Sequence, residues 1–126
     1  MKRSWIGFFL LLVLLAAGMG STWAMDRIHV PVAGQLRQAA AEAAAEQWED
    51  AAEALDRAKA QWKKWEHFRA CFVDHGPAEE ITAGLEALTV FCEAREKTAF
   101  RGACLELAKQ VEALGEAHGI YWWNLL

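Results

Sequence analysis

Proline and tyrosine are nearly absent, with two prolines and one tyrosine in 126 residues. No stretch alternates β-branched and polar residues as a half-buried strand does. The chemistry-bearing motifs are missing as well. The chain has no nucleophile elbow, no zinc-protease His pair, no phosphate-cradling glycine loop and no paired-cysteine redox motif. No catalytic residue, metal or cofactor is therefore expected, and the chain reads as a non-enzyme. Positive charge is also short. The formal charge is −4, and it becomes −6 over residues 4–126 once Lys2 and Arg3 are set aside. Nucleic-acid binding needs a basic footprint, so that class is excluded, as is wide adsorption to anionic lipid.

Apolar residues, by contrast, make up 55% of the chain, and one run near the start holds many of them. Lys2 and Arg3 precede "SWIGFFLLLVLLAAGMGSTWA", and no charge follows until Asp26. A helix from Trp5 to Ala24 spans roughly 30 Å, the thickness of a bilayer's hydrocarbon core. Two readings fit. One is an uncleaved signal anchor through residues 5–24, its N-terminus cytoplasmic because of the two leading cations, with Trp5 and Trp23 at the interfaces. The other is a signal peptide cleaved near Ala24 after Thr22-Trp23-Ala24, leaving a secreted product. Both place the remainder outside the cytoplasm.

The rest reads as helix, being rich in Ala, Glu, Leu, Lys and Gln. The expected class is all-α: an N-terminal transmembrane helix followed by an antiparallel bundle of three to four helices. Residues 1–25 would be the anchor or signal segment, 26–34 a linker marked by Pro31 and Gly34, 35–119 the bundle and 120–126 an apolar tail. An apolar stripe of Trp48, Leu55, Trp62, Trp65 and Phe72 marks one helix. Glu53 and Arg57 are four apart on its wet face and suited to pair. That helix is expected to run to Gly76, which would take a left-handed cap, with Pro77 in the first turn of the next. Residues 34–47 either form a separate Ala-rich helix folding back on the Trp helix or extend it, and the lack of Gly or Pro after Gly34 favours extension. Ile81, Leu85, Leu88 and Cys92 form a second stripe, and Cys104, Leu107, Val111 and Leu114 a third. The two face one another in antiparallel register if the chain turns at 95–98, with Thr98 as N-cap. The same arithmetic around "HGPA" would set Trp65 opposite Leu88 and Phe72 opposite Ile81. Gly119 is expected to end the last helix.

The order of these features resembles the domain of unknown function 4363 family. The likeness rests on "WEDAAEALDRAKAQWKKW", "VDHGPAEEI" and the closing Asn124-Leu125-Leu126, above all on Trp48, Ala52, Trp62 and the Asp74-His75 pair. It implies one N-terminal membrane segment, a helical extracytoplasmic portion, no catalytic residues and no cofactor. It also implies bacterial genes for multi-span membrane proteins lying beside those of the family.

Candidate sites are few. Cys92 and Cys104 face each other on the seam. They are either a disulfide, which an exported location permits, or two small buried apolar residues. Cys71 is left over. His67, Cys71 and His75 recur at a helical spacing, but no fourth ligand accompanies them and a solvated helix end is the simpler reading. Asp74 and His75 suit backbone capping better than acid–base work, since no nucleophile is nearby. The Trp stripe would be core, or else the lining of a groove for an apolar or envelope ligand. Tyr121, Trp122 and Trp123 are candidate contacts to a partner or the membrane.

Overall fold

A computed structural model describes residues 2–67 and 75–119, and among them every regular element is an α-helix. These are α1 (Lys2–Ala44), α2 (Trp48–Lys64), α3 (His75–Glu93) and α4 (Lys97–Gly119). Phe72, Cys71, Asp74 and the Tyr121-Trp122-Trp123 tail lie outside the described residues.

The expected linker is not there. Residues 26–34 are helical and continuous with the apolar segment, so α1 runs unbroken for 43 residues, about 65 Å. Pro31 sits inside it, on an exposed face. The reason is packing: Ile28, His29, Val32 and Ala33 are buried, followed by Leu36, Ala39, Ala40 and Ala43 on the same face. Steps of three and four keep one stripe inward. That stripe, not a linker, carries the chain into the bundle.

Four helices then close a ring, α1 beside α2, α2 beside α3, α3 beside α4 and α4 back beside α1. Every neighbouring pair is antiparallel. Arg57 Nε donates to Gln35 Oε1 at 3.1 Å between α2 and α1, and Arg37 pairs with Glu112 between α1 and α4. The expected Glu53–Arg57 pair is thus replaced by a link between helices. The end where α1 enters is the base, and the opposite end is the tip.

The break before Trp48 also differs from expectation. Residues 34–44 belong to α1, and the chain reverses at Ala45–Gln47. Gln47 N–H bonds Glu42 O at 2.9 Å and Glu46 N–H bonds Ala43 O at 3.1 Å, while Glu46 has φ 60°. This is a Schellman turn built on a non-glycine residue. The turn between α3 and α4 repeats it. Glu96 N–H bonds Phe91 O, Arg95 N–H bonds Cys92 O, both at 3.1 Å, and Arg95 has φ 52°. That turn lies where the stripes put it, although α4 begins at Lys97 with Glu96 O accepting from Phe100, so Thr98 is not the cap.

The likeness extends beyond the turns. Arg95 follows Glu46 by 49 positions, and the same offset relates Val32 to Ile81, Leu36 to Leu85, Ala39 to Leu88 and Ala43 to Cys92. Beyond the turn it relates Ala51 to Phe100, Leu55 to Cys104, Ala58 to Leu107 and Trp62 to Val111, and all of these are buried. The bundle is two like hairpins. The first is lined mainly by alanine, the second by larger side chains.

The α3–α4 register agrees with the sequence reading, since Ile81, Leu85, Leu88, Cys92, Cys104, Leu107, Val111 and Leu114 are all buried between neighbours. A Cβ at Gly84 would lie 2.8 Å from Leu107 Cδ1, so the helices meet closely there. The α2–α3 register does not agree. α2 stops at Lys64 with Trp65 as its C-cap, well short of Gly76, and no described glycine has positive φ. Trp62 therefore meets Thr82, and Lys59 meets Glu86 and Thr89, instead of Trp65 meeting Leu88. Because α2 ends at Lys64, the facing positions slide by about two turns from the expected ones.

The left-handed turn residues generate a prediction. A side chain at positive φ costs roughly 1 kcal/mol that glycine avoids. Arg95→Gly should raise the melting temperature by several degrees. Glu46→Gly should gain less, because it also removes the Glu46 carboxylate from Lys97 and Trp48. Paired thermal melts check both.

Candidate functional site

The tip and the base are built differently. At the tip, the two turns are fastened together. Lys97 Nζ lies 3.0 Å from Glu46 Oε1, and Trp48 Nε1 donates to Glu46 Oε2 at 3.2 Å. These bonds, Lys97 first and Trp48 second, hold the Glu46 carboxyl below its ordinary range. Beneath them Trp48 meets Phe100 edge-on, ring centroids 5.8 Å apart. The pair closes the apolar core at this end.

At the base, Trp62 is 3% exposed and meets His29 edge-on at 6.0 Å. Its Nε1 donates to Thr82 Oγ1 at 3.0 Å, and Thr82 in turn donates to Ala78 O. His29 is 2% exposed and lies against Gly115. A Cβ there would come within 3.1 Å of His29 Cβ, so α1 and α4 approach through a glycine. His29 had no place in the sequence reading because it falls in the stretch taken for a linker. The signal that could have found it is the spacing Ile28, Val32, Leu36 and Ala39, which continues the core stripe of α1 backwards.

Trp48, Leu55 and Trp62 are core, as their spacing implied. Trp65 is not fully buried; it sits at the end of α2, half-exposed, with Lys64 Nζ 5.6 Å from its ring. A groove of about 330 Å³ does run beside Trp62, but Lys59, Lys63, Glu66 and Glu86 line it with Thr82 and Leu85. The indole itself faces the core, so the groove presents mixed charge rather than an apolar wall.

Cys92 and Cys104 are free thiols, not the clasp that their facing positions allowed. Across a helix–helix seam, Cα separations readily exceed the range a disulfide spans. Cys104 is fully buried, and desolvation, with Cys92 beside it, pushes its thiol up to about 12. Cys92 is raised in the same direction, mainly by burial. A thiol held neutral in this way is a poor nucleophile and a poor metal ligand. Among the described residues no three His, Cys, Asp or Glu side chains gather as a metal-binding group. His67 is exposed at the end of the described first half, while Cys71 and the side chain of His75 lie outside description.

The other unusual surface is α1 itself. Lys2–Gly20 is long and apolar enough to cross a membrane, with mean hydropathy 1.7, and none of it is buried in the bundle. Trp5, Phe9, Leu14 and Met19 are among its large exposed side chains. An exposed apolar run of this length has the dimensions of a membrane anchor or of a signal sequence.

Residues 24–125 match the family described as "Domain of unknown function (DUF4363)", and the chain belongs to it. No curated protein and no solved structure matches the chain. The matched region begins just beyond the apolar segment and takes in the whole bundle.

Two predictions follow from the core geometry. Trp62→Ala empties the base of the core and should cost about 3–5 kcal/mol in urea denaturation. The second concerns Cys104, whose folded-state pKa lies above its ordinary value of 9.0, at about 12. The folded state therefore holds its proton where the unfolded chain has lost it. The neutral thiol's contribution is complete below pH 9 and is lost as pH rises from about 9 towards 12. Over that window the slope is at most about 1.4 kcal/mol per pH unit. Cys104→Ala should show a shallower fall than the parent between pH 8 and 10.5.

Proposed function

We propose that this protein is a membrane-anchored, non-enzymatic helical module that stands outside the cytoplasm and serves as an accessory or interaction partner of another membrane protein. The observation that carries this reading is the continuity of α1. One helix begins as an exposed apolar span and ends as a wall of the bundle core, touching α2 and α4 along its second half. An anchor joined in this way does more than tether. It fixes the height and tilt of the bundle over the bilayer, because no joint lies between them. A freely diffusing binding protein has no use for such a mount, whereas a module that must meet a neighbour in the same membrane does.

Chemistry points the same way. The indoles of Trp48 and Trp62 are committed to packing, and the thiols of Cys92 and Cys104 are neutral and enclosed. The outward apolar residues of the bundle are scattered, Val90 on α3 and Leu105 on α4 among them. Such a surface offers contacts to a protein partner. The leading Lys2 and Arg3 orient the N-terminus to the cytoplasm and the bundle outside.

Retention of the anchor is tested by the mass of the mature protein, expected to include residues 1–24; a product starting near Met25 would replace the anchor with a signal peptide. Photo-crosslinking from Val90 and Leu105 in native membranes should repeatedly recover one multi-span protein. Recovery of lipid alone, or of soluble proteins without preference, would overturn the accessory role.

A further inference from the structure

Where α1 leaves the membrane span, it meets the C-terminal end of α2, and the two enclose an open notch of about 580 Å³. Its walls hold two tryptophan–cation pairs. Arg27 Cζ lies 4.2 Å from the centroid of the Trp23 ring, and Lys64 Nζ lies 5.6 Å from that of Trp65. Among the described side chains, which do not include that of Asp26, the lining contains these two cations and no carboxylate. In a chain whose net charge is −4 this is a local reversal of sign. α2 shows the reversal along its own axis. Glu49, Asp50, Glu53 and Asp56 lie towards the tip, and Arg57, Lys59, Lys63 and Lys64 towards the base.

The height of the notch follows from helix geometry. Trp23 is three residues past Gly20, about 4.5 Å, and Arg27 seven, about 10 Å. The headgroup layer is roughly 5–7 Å deep on each side of the hydrocarbon core. Side chains on a helix lean towards its N-terminus, here towards the bilayer, and the contact with Trp23 draws the Arg27 guanidinium down into that layer. Trp23, 60% exposed, is the residue type that favours this depth.

We propose that this notch is a binding site for the phosphodiester headgroup of an anionic phospholipid in the outer leaflet, with Arg27 and Lys64 facing the phosphate and Trp23 and Trp65 against the glycerol and upper acyl region. The site differs from general adsorption, which the acidic bundle opposes: it takes a lipid at one height and one side of α1. The proposal rests on the anchor reading, and it adds to the mount a headgroup clamp that resists rotation of the bundle about α1.

The test uses the full chain in detergent with equimolar phosphatidylglycerol and phosphatidylcholine, retained lipid being counted by native mass spectrometry. The parent should retain phosphatidylglycerol in preference, and the double variant Arg27→Gln with Lys64→Gln should lose that preference by about tenfold or more. Arg27→Lys with Lys64→Arg keeps the charges and should keep the preference, which separates lipid binding from a folding defect. Equal retention of the two lipids by the parent overturns the site, as does displacement of the lipid by millimolar inorganic phosphate. Flotation with phosphatidylcholine vesicles separates the two readings. A chain that floats but shows no preference keeps its anchor and loses the site; a chain that does not float loses both.

Discussion

Everything in this molecule hangs on the face that α1 presents from Ile28 to Ala43. That face is buried against α2 on one side and α4 on the other, and the same helix carries the exposed apolar segment. Burial of apolar area is worth about 25 cal/mol per Å², so a stripe holding Ile28, Val32 and Leu36 contributes several kcal/mol through the transfer effect alone. If α1 were jointed at Pro31, those side chains would be lost from the base of the bundle and His29 and Trp62 would face water. A proline inside a helix costs the bond its missing N–H would have made. Here the packing on the opposite face outweighs that loss, and the helix continues.

The two hairpins are alike in plan and unlike in bulk, and this explains how four helices close a core in so short a chain. Alanine at positions 39, 40, 43, 51, 54 and 58 lets α1 and α2 lie close together. The second hairpin supplies the volume, with Ile81, Leu85, Leu88, Phe100 and Leu107 at matching places. Small set against large fills the interior without strain, as dense packing requires. The tip locks the hairpins to each other through Glu46, Lys97, Trp48 and Phe100. At the base they are held by buried rings and by polar bonds from Trp62 and Lys59.

The hairpin of large residues was legible in the sequence, and the hairpin of small ones was not. Ile81, Leu85, Leu88, Val111 and Leu114 carry strong contrast with their charged neighbours, so their period and their facing partners can be counted. Alanine carries little contrast. In "LRQAAAEAAAEQ" it falls on buried and exposed faces alike, and the stripe of α1 disappears into it. The turn at Glu46 is hidden for a related reason. A left-handed cap is announced by glycine, and neither Glu46 nor Arg95 is glycine. The second turn was found only because the stripes on either side fell out of phase. Pro31 and Gly34 misled in the opposite direction, since both are breakers by rule and both lie inside an unbroken helix. Of the candidate sites, the two cysteines lie on the seam where the stripes put them, as buried free thiols, one of the two readings that their spacing left open. The notch at Trp23 and Arg27 was illegible because its other half, Lys64 and Trp65, comes from a helix whose pairing with α1 the expected linker concealed.

The least apolar seam lies between α2 and α3. Its bonds are Trp62 to Thr82 and Lys59 to Thr89, with Lys59 also 3.4 Å from Glu86, and the groove beside Trp62 opens along it. Surface ion pairs of this kind add little stability. Among the described residues, α2 and α3 are the neighbouring helices that pack least closely. The stiffness of the molecule lies along α1, which runs unbroken from the exposed apolar segment into the core.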